Sequence, residues 1–317
     1  MAKWTADDIP DQNGRAVLVT GANSGLGLHM SRALVAKGAR VLMACRSPER
    51  GEAAVVEVNE VAKDDGVAEL VVLDLADLAS VRAAAAEVRE RTGDTLDVLI
   101  NNAGVMATPQ RTTTDGFELQ LGTNHIGHAA LTWLVMPALR RGDQDAAPPA
   151  RVVTVSSLLH QRGGLDVTDL NFQRRSYHGW TAYSQSKIAN LLFAFELDRR
   201  ARAAGLNLIS VAAHPGLSDT ELASNMMLSR GSALLAQVAD FFNGLIAQPA
   251  EHGTWPLLYA ATAPDVVGGQ FYGPDGFQQM RGHPTLVRAS RQATDPGTAA
   301  RVWELTAGMS QVTPDPA

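Results

Sequence analysis

Two groups of residues in this chain have types and spacings that suit chemistry. In Tyr183-Ser184-Gln185-Ser186-Lys187 a phenol and an ammonium stand four residues apart, which on a helix puts them on one face. A free tyrosine titrates at about pH 10, too high for efficient proton exchange near neutrality. A neighbouring cation stabilises the phenolate and lowers that value. The pair therefore suits proton exchange with a substrate oxygen; taken alone, it also suits two surface residues.

The second group is Thr20-Gly21-Ala22-Asn23-Ser24-Gly25-Leu26-Gly27. It follows an apolar run and opens a helix-period segment. Glycines there let the backbone turn tightly and approach a pyrophosphate, which then sits on the helix N-terminus. At the end of the next apolar run, after Cys45, stands Arg46. A carboxylate at this place suits the ribose hydroxyl of NAD(H), whereas an arginine suits the extra phosphate of NADP(H). Arg46 points to NADP(H), with NAD(H) left open and a solvated surface arginine as the bland reading.

These residues need elements to hold them. Short β-branched runs occur at residues 16–19, 40–43, 70–73, 96–100, 151–155 and 206–211. Continuous apolar runs of that length suit strands covered on both faces, as in a parallel sheet. Between them lie helix-period segments at 24–37, 50–63, 78–91, 117–141 and 183–204, the first and last stopped by Gly38 and Gly205. Alternation of this kind predicts an α/β fold, a three-layer, Rossmann-type, doubly wound parallel sheet in a single domain over 1–317. Residues 143–150 read as a surface loop. The apolar helical stretch 221–249 interrupts the alternation. It reads either as a lid over a ligand site or as an ordinary helix pair on the core. The tail beyond Gln311 reads as disordered.

Composition narrows the classes. The net charge is −6, from 27 basic and 33 acidic residues, and the basic residues form no cluster that would suit nucleic acid. One cysteine, Cys45, excludes an internal disulfide. At a strand end that the pattern reads as buried, it reads as structural. No signal-like segment opens the chain, and no apolar run is long enough to span a membrane, so a cytoplasmic location is the expectation. His125 and His128 could pose as metal ligands, but no third ligand stands at a sensible spacing, and structural hydrogen bonding is the better reading, with no metal. His214 reads as shaping the turn before Pro215.

Six ordered motifs make the chain resemble the short-chain dehydrogenase/reductase family over about Gln12 to Gly276. They are the turn at Thr20 to Gly27, the pair Asp74-Leu75, Asn101-Asn102-Ala103-Gly104, Asn124 in Leu121-Gly122-Thr123-Asn124-His125, Ser157 with Tyr183 and Lys187, and Pro215-Gly216. The resemblance implies an oxidoreductase that interconverts an alcohol with a ketone or aldehyde. It implies that Tyr183 exchanges the proton and that Lys187 holds the nicotinamide ribose and depresses the tyrosine. Ser157 would orient the substrate oxygen, and Asn124 would anchor a water leading from Lys187 to solvent. Gly21, Asn23, Ser24, Gly25, Leu26, Gly27, Asp74, Leu75, Asn102, Ala103, Gly104, Pro215, Gly216 and Thr220 would line the cofactor cleft. Hydride chemistry belongs to the cofactor.

The long stretch 158–182 between Ser157 and Tyr183, with Ala44-Cys45-Arg46 and Asn124-His125-Ile126-Gly127-His128, is similar to the retinol-dehydrogenase-like and protochlorophyllide-reductase-like branch. That branch implies NADP(H) and a lipophilic small-molecule substrate. Its retinol-active members often carry a membrane anchor, which has no counterpart among these apolar runs. The family often forms homodimers or homotetramers through the helices placed at 117–141 and 183–204. Two rival readings are a non-catalytic NADP(H)-binding regulator, which would be expected to lose the tyrosine or lysine, and an epimerase or dehydratase, whose glycine spacing differs.

Overall fold

The computed structural model describes residues 3–140, 148–217 and 249–316. The six expected strands form as β1 (Ala16–Thr20), β2 (Arg40–Cys45), β3 (Val67–Val72), β4 (Val98–Asn101), β5 (Ala150–Val155) and β6 (Leu208–Ala213). Every residue of β1, β4 and β5 is buried. Helices cover both faces of these strands, which is why their sequences show no polar alternation. Two short strands that the apolar pattern does not announce, β7 (Phe271–Pro274) and β8 (Pro284–Leu286), extend the edge.

Among the described residues the sheet has eight strands in the order β3-β2-β1-β4-β5-β6-β7-β8. All pairings are parallel except β7 with β8. The chain order reverses between β1 and β4, and in such sheets ligands bind outside the carboxyl ends of the strands at that reversal. The glycine turn follows β1, Asn102 follows β4, Ser156 follows β5 and His214 follows β6. The candidate residues therefore meet along one edge.

Helices α1 (Gly25–Val35), α2 (Pro48–Asn59) and α3 (Leu78–Thr92) come where helix periodicity places them. Asp77 caps α3 by accepting from the backbone N–H of Ala79 at 2.8 Å, and Gly93 ends it in the left-handed conformation. The helix expected over 117–141 is broken instead. It runs as α4 (Leu119–Leu121), a π-turn at Gly122–Ile126, α5 (Gly127–Leu134) and α6 (Met136–Leu139). Pro137 accounts for the last break, since it cannot donate to the preceding turn. The π-turn carries Asn124.

Helix α7 (Gly179–Ala203) begins at Gly179, one turn before the expected start at Tyr183. Tyr183 thus sits in its second turn. Two helices follow the expected lid region, α8 (Ala250–Gly253) and α9 (Trp255–Thr262). Apart from Pro249, the proposed lid at 221–249 lies outside the described residues, as does Thr220.

One core layer packs on the face of α3 and α5, and the other on the face of α1, α2 and α9. Helix α10 (Pro296–Ser310) closes the first layer. Trp303 stacks on Phe193 with centroids 5.3 Å apart and meets Trp133 edge-on at 4.9 Å. The Arg200 guanidinium lies 4.9 Å from the Trp303 ring. Helix α10 thereby packs against α5 and α7. The expected disorder beyond Gln311 is corrected over the described part of the tail. Val312 is buried in the same core, and Arg82 donates to the carbonyls of Ser310 and Gln311 at 3.1 and 3.0 Å.

Candidate active site

The glycine turn leaves β1 with Gly21 donating to the Ala44 carbonyl at 2.8 Å. Gly27 packs directly under it, where a Cβ would run into the Gly21 carbonyl. Only glycine lets α1 start this close to the strand. Ser24 stands at the N-cap of α1 without making a side-chain cap bond. The first N–H groups of α1 are therefore left for another acceptor, and the helix dipole favours an anion there. Arg46 is exposed at the end of β2 and makes no hydrogen bond or ion pair among the described residues. Uncapped amides and an uncommitted guanidinium on one edge fit the phosphates of a dinucleotide.

Asn102 and Ala103 are tied to this turn. Their backbone N–H groups donate to Thr20 Oγ1 at 2.9 and 3.0 Å, and Asn102 Nδ2 donates to the Thr20 carbonyl at 2.8 Å. Asp74 is half-buried beyond β3 and spends one carboxylate oxygen on the Ala76 N–H at 2.9 Å. Leu75 beside it is buried. Beyond β6, His214 accepts from the Gly216 N–H at 3.1 Å through Nδ1 and pairs with Gln279 through Nε2 at 3.0 Å. It holds the turn at Pro215-Gly216, as its position suggests. Burial lowers its pKa to about 4.

The reactive group sits where β5 meets α7. Tyr183 is buried, with Ser157 beside its hydroxyl. Burial pushes the phenol up to about 12, and Ser157 acts in the opposite sense. Lys187 is buried one turn along, with Nζ 5.7 Å from the Tyr183 ring centroid and donating to the Val155 carbonyl at 3.1 Å. Desolvation brings its pKa down to about 8. In the structure the burial of Tyr183, not the lysine, dominates the phenol. A protonated tyrosine at neutral pH is a proton donor in waiting.

Asn124 faces this pair across Gly104. A Cβ on Gly104 would lie 3.0 Å from Asn124 Oδ1 and 3.7 Å from Lys187 Nζ. The Asn124 side chain is nearly used up. Oδ1 accepts from the Val105 N–H at 2.8 Å, and Nδ2 donates to the Val105 carbonyl and to Ser186 Oγ, each at 2.9 Å.

Several supporting residues escaped the sequence. His160 donates from Nδ1 to the Ser157 carbonyl at 2.6 Å and fixes the backbone that carries the serine. Ser186 holds Asn124, and Asn190 shares the lysine's carbonyl. Their only signal was position, one turn from a residue already singled out. His125 and His128 are buried hydrogen-bonding groups, to Thr306 and Thr20 respectively, each at 2.8 Å. Cys45 is buried, and desolvation raises its thiol to about 11, which suits packing rather than reaction.

Residues 15–230 match the short chain dehydrogenase family profile. Human retinol dehydrogenase 13 is 37% identical to this chain over 92% of it and 82% of that protein. Mouse polyprenol dehydrogenase is 40% identical over 83% of this chain and 76% of its own length. A solved structure from Mycobacterium paratuberculosis is 43% identical, covers 98% of each chain and superposes with a TM-score of 0.79. Levodione reductase, 22% identical with a TM-score of 0.65 over 82% of this chain and 95% of its own, shares the fold. No described helix is long and apolar enough to cross a membrane. The chain belongs to the short chain dehydrogenase family, a retinol-dehydrogenase-like member, and is an oxidoreductase of the alcohol–carbonyl class that works with a nicotinamide cofactor.

Proposed function

We propose that this protein is an NADP(H)-dependent oxidoreductase that interconverts a lipophilic alcohol and its aldehyde or ketone, with Tyr183 exchanging the proton of the reacting oxygen. The observation that carries the reading is the buried Tyr183 with Ser157 beside its hydroxyl at the carboxyl edge of the sheet, and Lys187 Nζ 5.7 Å from the tyrosine ring. A carbonyl oxygen placed between those two hydroxyls accepts from both.

In the reducing direction a nicotinamide cofactor would supply hydride to the carbonyl carbon. Tyr183 Oη gives its proton to the oxygen as negative charge develops there, and Ser157 Oγ holds that oxygen in place. Lys187 keeps a cation behind the phenolate that is left, which limits the cost of forming it in a buried site. Its bond to the Val155 carbonyl uses one of three N–H donors, leaving two for a ribose and for a water on the Asn124 side. Arg46 would take the additional phosphate that distinguishes NADP(H). A buried Tyr183 that is protonated at neutral pH is ready to act as the acid when the carbonyl is reduced. A lipophilic substrate is supported by the retinol and polyprenol named for its relatives.

The test is oxidation of NADPH and of NADH, followed by nicotinamide absorbance, against retinal, nonanal, cyclohexanone and glucose, with wild type beside Tyr183→Phe. Turnover of the apolar carbonyls with NADPH that is lost in the variant is the expected result. NADPH binding without any turnover would point instead to a regulator, and turnover confined to glucose would overturn the lipophilic substrate.

A further inference from the structure

His128 lies outside the reacting group, yet it touches both halves of the site. It is 2% exposed, on the first turn of α5 directly after the π-turn. Its Nδ1 stands 3.0 Å from the Asn124 carbonyl and its Nε2 stands 2.8 Å from Thr20 Oγ1. A carbonyl only accepts, so Nδ1 carries the proton and Nε2 of the neutral ring is left as acceptor. Thr20 Oγ1 already accepts the N–H groups of Asn102 and Ala103, and its own proton goes to Nε2 at 2.8 Å rather than to the more distant Ile100 carbonyl at 3.4 Å. Every donor in this run of hydrogen bonds, from Asn102 and Ala103 through Thr20 to His128, then has an acceptor. A second proton on the ring would set an N–H against a hydroxyl that already receives two. Burial, with Lys187 and His125 adding to it, lowers the ring's pKa to about 3.

The Asn124 carbonyl that His128 takes lies within the π-turn. Within the π-turn the Gly127 N–H reaches back to the Gly122 carbonyl, one residue further than in an α-helix. The far side of the residue is held as well. Thr132 Oγ1 donates to the His128 carbonyl at 2.7 Å and accepts from Asn101 Nδ2 at 3.0 Å, linking α5 to the end of β4.

We propose that His128 is a positioning residue that ties the dinucleotide turn at Thr20 to the π-turn carrying Asn124, so that cofactor docking and proton exchange keep one register. The inference rests on reading those two places as parts of an oxidoreductase site. It separates two contacts that different substitutions keep or remove. Leucine removes both. Glutamine can accept from Thr20, in place of Nε2. Asparagine can donate to the Asn124 carbonyl, in place of Nδ1.

The experiment measures NADPH dissociation constants by quenching of indole fluorescence, together with kcat and KM for nonanal or whichever carbonyl the wild type reduces. For His128→Leu we expect kcat to fall about 30-fold and NADPH affinity about tenfold, in line with one lost buried hydrogen bond on each side. His128→Gln should recover the affinity but not kcat, and His128→Asn should recover kcat but not the affinity. Thr20→Val should cost affinity about tenfold in wild type and less than about twofold on top of His128→Leu, because coupled sites are not additive. If all three His128 variants melt earlier while kcat and affinity stay near wild type, or if the Thr20 and His128 effects multiply, the proposal is overturned. Should His128→Leu fail to fold, the Asn and Gln variants and the recovery of Thr20→Val by Thr20→Ser decide it. A wild type without turnover would sink the oxidoreductase reading, while the NADPH arm and its coupling would still decide the role of His128.

Discussion

Lys187 and Asn190 donate to the same acceptor, the carbonyl of Val155, each at 3.1 Å. A carbonyl has two lone pairs, and here both are spoken for. The amide therefore fixes sideways where the ammonium can sit. In Asn190→Ala the ammonium is free to shift across the vacated lone pair. A fall in kcat of about tenfold is expected, the scale of one buried hydrogen bond to a charge. Steady-state kinetics beside a thermal melt would check it, and a loss of stability without a loss of kcat would make Asn190 a packing residue only.

Removing the phenol hydroxyl removes the proton donor but little volume. Tyr183→Phe is expected to lower turnover about 100- to 10,000-fold, the range for a positioned general acid. NADPH binding should survive. A variant that retains more than a tenth of the wild-type rate would place the proton donor elsewhere.

The two shifted groups predict opposite pH behaviour in the two directions. Reduction needs the protonated phenol, which persists to about 12, and the lysine cation, which is lost above about 8. Its rate should be flat to that point and then decline. Alcohol oxidation needs the phenolate, so its rate should rise about tenfold per pH unit through the neutral range. Initial rates in both directions, from about pH 6 to about pH 10, give the profiles.

Acid should destabilise the fold through buried imidazoles. Desolvation holds His125, His128 and His214 at about 4, about 3 and about 4. Unfolded histidines titrate at about 6.5, so below that pH the unfolded chain binds more protons than the folded one. Stability is therefore full above about pH 6.5 and falls as the pH drops toward 4, each ring contributing at most about 1.4 kcal/mol per pH unit. Urea midpoints at falling pH should show this, and His214→Asn should make the dependence shallower.

Arg46 is exposed and uncommitted, so its replacement should leave the fold alone. Arg46→Ala is expected to weaken NADPH about ten- to a hundredfold and NADH hardly at all, the scale of charge-assisted hydrogen bonds lost from one partner. Equal effects on both cofactors would remove Arg46 from cofactor choice.

Much of the site was legible because its residues follow strand ends. Thr20, Asn101, Val155 and Ala213 each close an apolar run, and a parallel sheet gathers those ends on one edge. Tyr183 and Lys187 stood out as a pair through helical spacing, and the resemblance gave them their roles. The π-turn was not, since Gly122 to Ile126 read as ordinary helix and only the tertiary contacts of Asn124 and His128 favour the wider turn. Strands β7 and β8 are too short to show a period. The landing of Val312 depends on a core surface formed by distant helices, which no local pattern reports.

The π-turn also sets which changes of length this stretch of chain can inherit. It holds one residue more than a regular helix would use, and each residue turns an α-helix by about 100°. Deleting any one of residues 122–126 would let the segment close into a smoother, better-bonded helix. It would also rotate everything before the cut against everything after it, so Asn124 could not meet Val105 and Ser186 while His128 meets Thr20. A shorter gene would thus encode a tidier helix with a broken site. Selection for activity has to preserve the count of residues here, and substitutions are tolerated where a single-codon loss is not.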